Sequence, residues 1–239
     1  MSTAEIVIER LFEALINGDR PQARAIVAEQ FDQGVDAETI VVDLLWPSYE
    51  QIERLYRADQ ITTLSYRLAT RLLRVLVDQT SAGLAMDGTG VGAGRRVFAV
   101  SGPGEADEIG AQMAMDLLEH HGFGVAFAGG GVANDEIRAQ VQEERPDVLL
   151  LFCSAPSDLP NIRALIDDLH EAGACPDLQI VVGGGVFNRA EGLAEEIGAD
   201  LWASEPLELV DLMVRRAGKR SGAEQRTVGK KRRPLRKAA

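Results

Sequence analysis

Arg96–Gly110 reads RVFAVSGPGEADEIG, and the fold turns on how this stretch is parsed. Val97 to Val100 are all apolar, which fits a strand covered on both faces. Ser101–Gly104 follows as a Gly/Pro loop, and Glu105 opens a helical pattern. Strand, glycine loop and helix form the unit from which open parallel sheets are built. In such sheets ligands gather where these loops leave the carboxyl ends of the strands. Gly102, Gly104 and Gly110 miss the G-x-G-x-x-G spacing, so a dinucleotide fingerprint is not supported.

Downstream, apolar runs alternate with helical stretches. Strands are expected at Val97–Ser101, Val125–Ala128, Val148–Phe152, Gln179–Val182 and Leu201–Ala203. Helices are expected at Glu105–His120, Asn134–Glu144, Leu159–Glu171, Arg189–Ile197 and Leu207–Arg215. The strands are apolar rather than alternating, which predicts a doubly wound, flavodoxin-like parallel sheet of five strands.

Upstream, residues 1–84 read as helical. Ile8, Leu11, Phe12, Leu15 and Ile16 form one apolar stripe, stopped by Asn17-Gly18. A second helix follows Pro21. A third, capped by Asp36, runs through Ile40–Trp46 into Pro47, where a kink or break is expected. The fourth uses Ile61, Leu64, Leu68, Leu72 and Leu76. Short connections suggest a four-helix bundle. Residues 85–96 are Gly-rich and aperiodic, a linker signal. The expected domains are therefore 1–84 (bundle), 97–216 (sheet domain) and 217–239 (basic tail).

The net charge of −12 is uneven. Lys219 to Ala239 hold nine basic residues and one acid, leaving 16 basic and 36 acidic residues elsewhere. An acidic body is a poor nucleic-acid surface. The tail reads as disordered; it is either a solvated end or a contact for nucleic acid, an anionic membrane or an acidic partner. No window resembles a transmembrane span or signal peptide, which points to a cytoplasmic protein. Cys153 and Cys175 make no disulfide framework, and Cys153 reads as a buried thiol.

The order of helical cap, glycine linker and parallel sheet, over residues 1–216, resembles the cobalamin-binding module. That module occurs in corrinoid methyltransferase proteins, in partner domains of adenosylcobalamin mutases, and in light-sensing regulators that use adenosylcobalamin. Its first loop reads D-x-H-x-x-G; here the run is Glu105-Ala106-Asp107-Glu108-Ile109-Gly110. The resemblance implies that Asp107 stands where the family carries the cobalt-ligating His. The S-x-L signature falls on Phe152-Cys153-Ser154 and is lost. The Gly-Gly signature persists as Gly183-Gly184. In the cap, the photoreceptor branch's W-x9-E-H falls on Tyr56, Tyr66 and Arg67.

Imidazole suits a borderline transition metal, whereas carboxylate is a hard oxygen donor. Asp107 would hold cobalt weakly. Asp107, Glu105 and Glu108 are expected to repel one another and raise a pKa, with Arg67 as counter-ion. Asp107 is alternatively a residue of the helix start. Tyr56, Tyr66 and Arg67 are either a rebuilt upper face over a planar ligand or bundle-interface residues. Gly183–Gly185 either accommodate a nucleotide tail or simply make a tight turn. Gly129–Gly131 carry the same pair of readings. Trp46 reads as core. His120, His121 and His170 read as structural rather than metal ligands.

No nucleophile–base pair has a supporting spacing, and fold alone does not give chemistry, so a non-enzyme is expected. The leading expectation is a regulatory or sensory protein binding cobalamin without His ligation, or another large tetrapyrrole-like ligand, and signalling to a protein partner. The alternatives are a corrinoid carrier of a methyltransferase system and an interaction protein without ligand. A homo-oligomer is open. The expected ligand-contact residues are Tyr56, Tyr66, Arg67, Glu105, Asp107, Gly110, Ser154, Gly183 and Gly184, with no metal ligand among them.

Overall fold

The computed structural model describes residues 3–84, 90–92 and 94–221. The basic tail beyond Ser221 and part of the Gly-rich linker lie outside the described residues, as does the side chain of Glu105.

The cap begins with α1 (Thr3–Ile16) and α2 (Arg20–Asp32). Gly18, at φ +68°, makes the turn between them, and the Asp19 carboxylate accepts the Gln22 N–H at 3.0 Å to cap α2. Asp36 does the same for α3 (Ala37–Ile40), accepting the Thr39 N–H at 2.8 Å. Such caps satisfy N–H groups that a helix start leaves unpaired. After α4 (Trp46–Arg57), the Thr62 hydroxyl caps α5 (Thr63–Ser81).

Pro47 does not break the chain's third helix. Residues Val41–Leu45 form a π-helical turn that joins α3 to α4, and the Trp46 N–H reaches back to the Val41 carbonyl. Proline lacks an N–H and its ring presses on the carbonyl four residues earlier. The wider π turn makes room for that ring. The Ser48 hydroxyl donates to the Leu44 carbonyl at 2.7 Å, partnering one of the carbonyls in this turn.

The second half is a parallel sheet of β1 (Arg96–Ser101), β2 (Gly124–Gly130), β3 (Val148–Phe152), β4 (Gln179–Gly183) and β5 (Leu201–Ala203). Its order is β2-β1-β3-β4-β5, the flavodoxin-like arrangement whose switch point lies between β1 and β3. Connecting helices are α6 (Glu105–His120), α7 (Asn134–Glu144), α8 (Leu159–Ala172), α9 (Gly185–Asn188) and α10 (Leu193–Glu196), with α11 (Pro206–Arg215) last.

Two expectations need correction. The helix expected over Arg189–Ile197 is two short helices, because Gly192 adopts φ +80° between them. Edge strand β2 alternates between exposed and half-buried residues instead of being covered on both faces. It pairs only with β1, so one edge faces solvent.

Two apolar cores flank the sheet. One holds Ile137, Leu165, Ile166 and Phe187 beneath α7, α8 and α9. The other runs without interruption from cap residues such as Leu11, Leu45 and Leu73 into Ile109, Met113 and Leu117 of α6 and Met213 of α11. The cap is thus packed into the α6 side of the sheet domain. Among the described residues no helix is long and apolar enough to cross a membrane.

Candidate functional site

Trp46, Tyr49, Glu53 and Arg57 recur every three to four residues along α4 and so share one face. The π turn leads directly into this face. Opposite stand Phe152 and Ser154 after β3, and Gly184, Gly185 and Arg189 after β4. Between the two walls lies a cavity of about 530 Å³ lined by these residues. It opens at the carboxyl ends of β3 and β4.

Next to the cavity, Gly110 of α6 lies under two of its lining residues. A Cβ there would meet the Tyr49 hydroxyl and the Phe152 ring tip, each at 2.8 Å. Tyr49 and Phe152 are each 5% exposed. The cap therefore touches the helical end of Arg96–Gly110 through Tyr49, and only glycine lets it come so close.

Asp107 lies beneath this contact and is 5% exposed. Its Oδ2 folds back on its own loop, so Cβ atoms built on Gly102 and Gly104 would sit 2.8 and 2.9 Å from it. Its Oδ1 is buried without a hydrogen-bond partner, and so is the Ser154 hydroxyl. Ser154 stands near enough to favour the charged forms of Asp107 and Tyr49, but makes no formed hydrogen bond to either. Burial raises the Asp107 carboxyl above the ordinary aspartate range, and Asp158 adds to the shift. Burial, then Asp158 and Asp107, push the Cys153 thiol up to about 12, so it stays a protonated, apolar-like group. Glu53 is also raised by burial, against the opposing pull of its hydrogen bond from Tyr66 and of nearby Arg57.

The residues expected to contact a ligand divide into groups. Asp107, Gly110, Ser154, Gly183 and Gly184 come together around the loops after β1, β3 and β4. Tyr56 and Tyr66 stack on each other, with centroids 3.8 Å apart and planes at 13°. Tyr66 donates to Glu53 at 2.8 Å, so the stacked pair backs the α4 wall and does not line the cavity. Arg67 is exposed on α5. The cation that reaches the β1 loop region is Arg74, two turns further along α5, at 2.9 Å from Glu108. Glu108 also accepts the Gly130 N–H at 3.2 Å. This is the contact that Arg67 was expected to make.

Gly184 is held at φ +102°, and a Cβ there would lie 2.2 Å from the Cys153 carbonyl. The turn requires glycine whatever binds. Beside it, the space off Gly183 is filled by Phe152, 3.5 Å from where a Cβ would be. Trp46 is core, as expected, yet also lines the cavity, and its Nε1 is buried without a partner.

Trp46, Tyr49, Glu53, Arg57 and Arg189 were not singled out by sequence reasoning as ligand contacts. The three-and-four spacing on α4 was the available signal. None of the three histidines lines the cavity: His120 and His121 meet Glu38, and His170 borders a separate cavity beside α8.

Residues 95–211 match a B12 binding domain family, and residues 7–80 match a second B12 binding domain family. A corrinoid protein of Desulfitobacterium hafniense is 22% identical over 218 residues, covering 89% of this chain and 98% of that protein. Dimethylamine corrinoid protein 1 of Methanosarcina acetivorans is 28% identical over 107 residues, 45% of this chain and 49% of that protein. The solved monomethylamine corrinoid protein of Methanosarcina barkeri superposes with a TM-score of 0.77 at 18% identity, over 88% of this chain and 98% of the other. That last likeness is one of fold.

Proposed function

The chain belongs to the cobalamin-binding module family, and from that premise we propose that it is a corrinoid-binding protein of the carrier type that lends cobalt no imidazole. The carrier reading draws on its relatives, which are corrinoid proteins.

The cavity's composition suits the rim of a corrin, which carries polar amide arms. Arg57, Arg189, Glu50 and Glu53 offer charged partners, and Gly184 and Gly185 leave backbone accessible. Its volume of about 530 Å³ would take the edge of the ring, with the rest of a corrinoid outside it or admitted by movement of the cap. The donor set does not suit an axial bond. Asp107 is a hard oxygen donor under Tyr49, and cobalt prefers nitrogen. None of the residues lining the cavity would therefore supply a bound corrinoid with an imidazole nitrogen. A bound corrinoid would supply a cobalt centre able to hold a methyl group. The chain's residues would exclude water with Trp46 and Tyr49, orient the ring against Gly184, and hold a proton on Asp107.

The observation that carries this reading is the cavity shared by one face of α4 and the glycine turn after β4. It is tested by mixing the purified protein with hydroxo-, methyl- and adenosylcobalamin, desalting, and recording spectra. Retained colour without the imidazole-ligated shift is expected, and Asp107→His is expected to gain that shift. Absence of retained colour overturns the reading. An imidazole-ligated spectrum of the unaltered protein overturns its axial part.

One observation favours a sensory role instead. Tyr49 and Phe152 close over Gly110, so a ligand entering there has to displace the cap. Passage of methyl from the loaded protein to a thiol acceptor, with a methyltransferase present, supports the carrier. Retention of methyl with altered hydrogen exchange across α4 supports the sensor.

A further inference from the structure

The cap grips α6 at both ends. Near its start, Arg74 reaches Glu108 at 2.9 Å. At its end, His120 and His121 meet Glu38 of α3. His121 Nε2 lies 2.8 Å from one Glu38 carboxylate oxygen, and His120 Nε2 lies 3.5 Å from the other. One ligating atom from each of the three side chains falls within 4.8 Å of the other two. All three residues are half-buried.

Consecutive residues on a helix point about 100° apart. These two imidazoles converge because α6 ends between them. His120 is the last helical residue, His121 has φ −83° and ψ 12°, and Gly122 turns the chain at φ +87°. The rings meet edge-on with centroids 5.1 Å apart.

Zinc bound by nitrogen and oxygen at its usual bond lengths, in a tetrahedron, sets neighbouring donor atoms about 3.3 Å apart. The gaps of 2.8 and 3.5 Å run to the two different oxygens of Glu38, and one atom from each side chain lies within 4.8 Å of the others, so small side-chain rotations would bring three donors to that spacing. We propose that Glu38, His120 and His121 bind one divalent transition-metal ion of the zinc class, with water as fourth ligand, and that this ion fastens the cap to the far end of α6. Two imidazoles and one carboxylate suit zinc better than magnesium or calcium, which prefer all-oxygen sites. His120 lies thirteen residues along α6 from Asp107, about 20 Å at the helical rise. The site is therefore separate from the cofactor cavity and does not depend on what that cavity holds.

The test uses the full chain with any purification tag removed and with metals stripped by chelator. Zinc ion is titrated calorimetrically, and metal content per chain is measured after dialysis. One ion per chain and a zinc-dependent rise in melting temperature are expected. Glu38→Gln and His121→Asn should each weaken binding by about tenfold or more, with circular dichroism unchanged. If either variant fails to fold, His120→Asn supplies the same reading. Cobalt(II) in place of zinc should give a spectrum without thiolate charge transfer, which separates this site from Cys153 or Cys175. No stoichiometric zinc binding, undiminished binding in the folded variants, or a thiolate band would each overturn the proposal.

Discussion

Asp107 is costly where it stands. Its carboxyl is buried beneath Tyr49, one oxygen has no partner, and Asp158 adds a second negative charge nearby. The folded protein therefore holds the proton on Asp107 more tightly than the unfolded chain, whose aspartates titrate near 3.8. The sign follows from linkage: a group with a raised folded pKa favours folding fully below the unfolded value, and that contribution is lost as pH rises through the folded one. Asp107→Asn removes the charge but keeps the shape. It is expected to stabilise the protein near neutral pH and to give no gain below about pH 3.8, as read by denaturant unfolding at the two pH values. Glu53 and Asp116 are raised by burial too, so they carry the same sign. The cluster of carboxylates at Glu105, Asp107 and Glu108 was legible in the quoted stretch. The neighbours of Asp107 were not: the repulsion comes from Asp158, 51 positions away, while Glu108 is taken up by Arg74.

At the scale of elements, the contact between α4 and α6 decides how closely the cap sits. Gly110 is the point of touch. Gly110→Ala places a methyl group 2.8 Å from both Tyr49 and Phe152, and neither ring has exposed space to move into. Overpacking of this kind costs about 1–3 kcal/mol, so a lower denaturation midpoint is expected, along with faster amide exchange in α4. The ends of most helices and of β3 and β5 were legible because apolar periodicity and turn residues agree there. The working face of α4 was not. Pro47 reads as a break when only its missing N–H is considered, and sequence gives no sign that the preceding turn would widen to admit it. The edge strand was also misread, since Val125–Ala128 looks apolar in one dimension whether or not a neighbour covers it.

For the whole molecule, glycine-rich composition after residue 84 marks a change of pattern. It does not reveal that one apolar core continues from the cap into α6 and α11. With that core shared, cap and sheet domain should unfold together. The chain's two tryptophans sit well for a test: Trp46 is in the cap core, and Trp202 packs on the opposite side of the sheet. Single-tryptophan variants Trp46→Phe and Trp202→Phe are expected to give coincident thermal transitions by fluorescence, the mark of two-state behaviour. Separated midpoints would show that the cap melts alone. The fold class was readable from alternating patterns; the joining of its halves depends on contacts between positions far apart in the chain.

Phe152 has one more effect. Its ring lies 3.5 Å from where a Cβ on Gly183 would stand, an ordinary van der Waals spacing. A methyl group there would rest against the ring without strain, whereas one on Gly184 would strike the Cys153 carbonyl. Of the two adjacent glycines, only the second is demanded by the backbone, so Gly183→Ala is expected to leave the denaturation midpoint in place and Gly184→Ala to lower it.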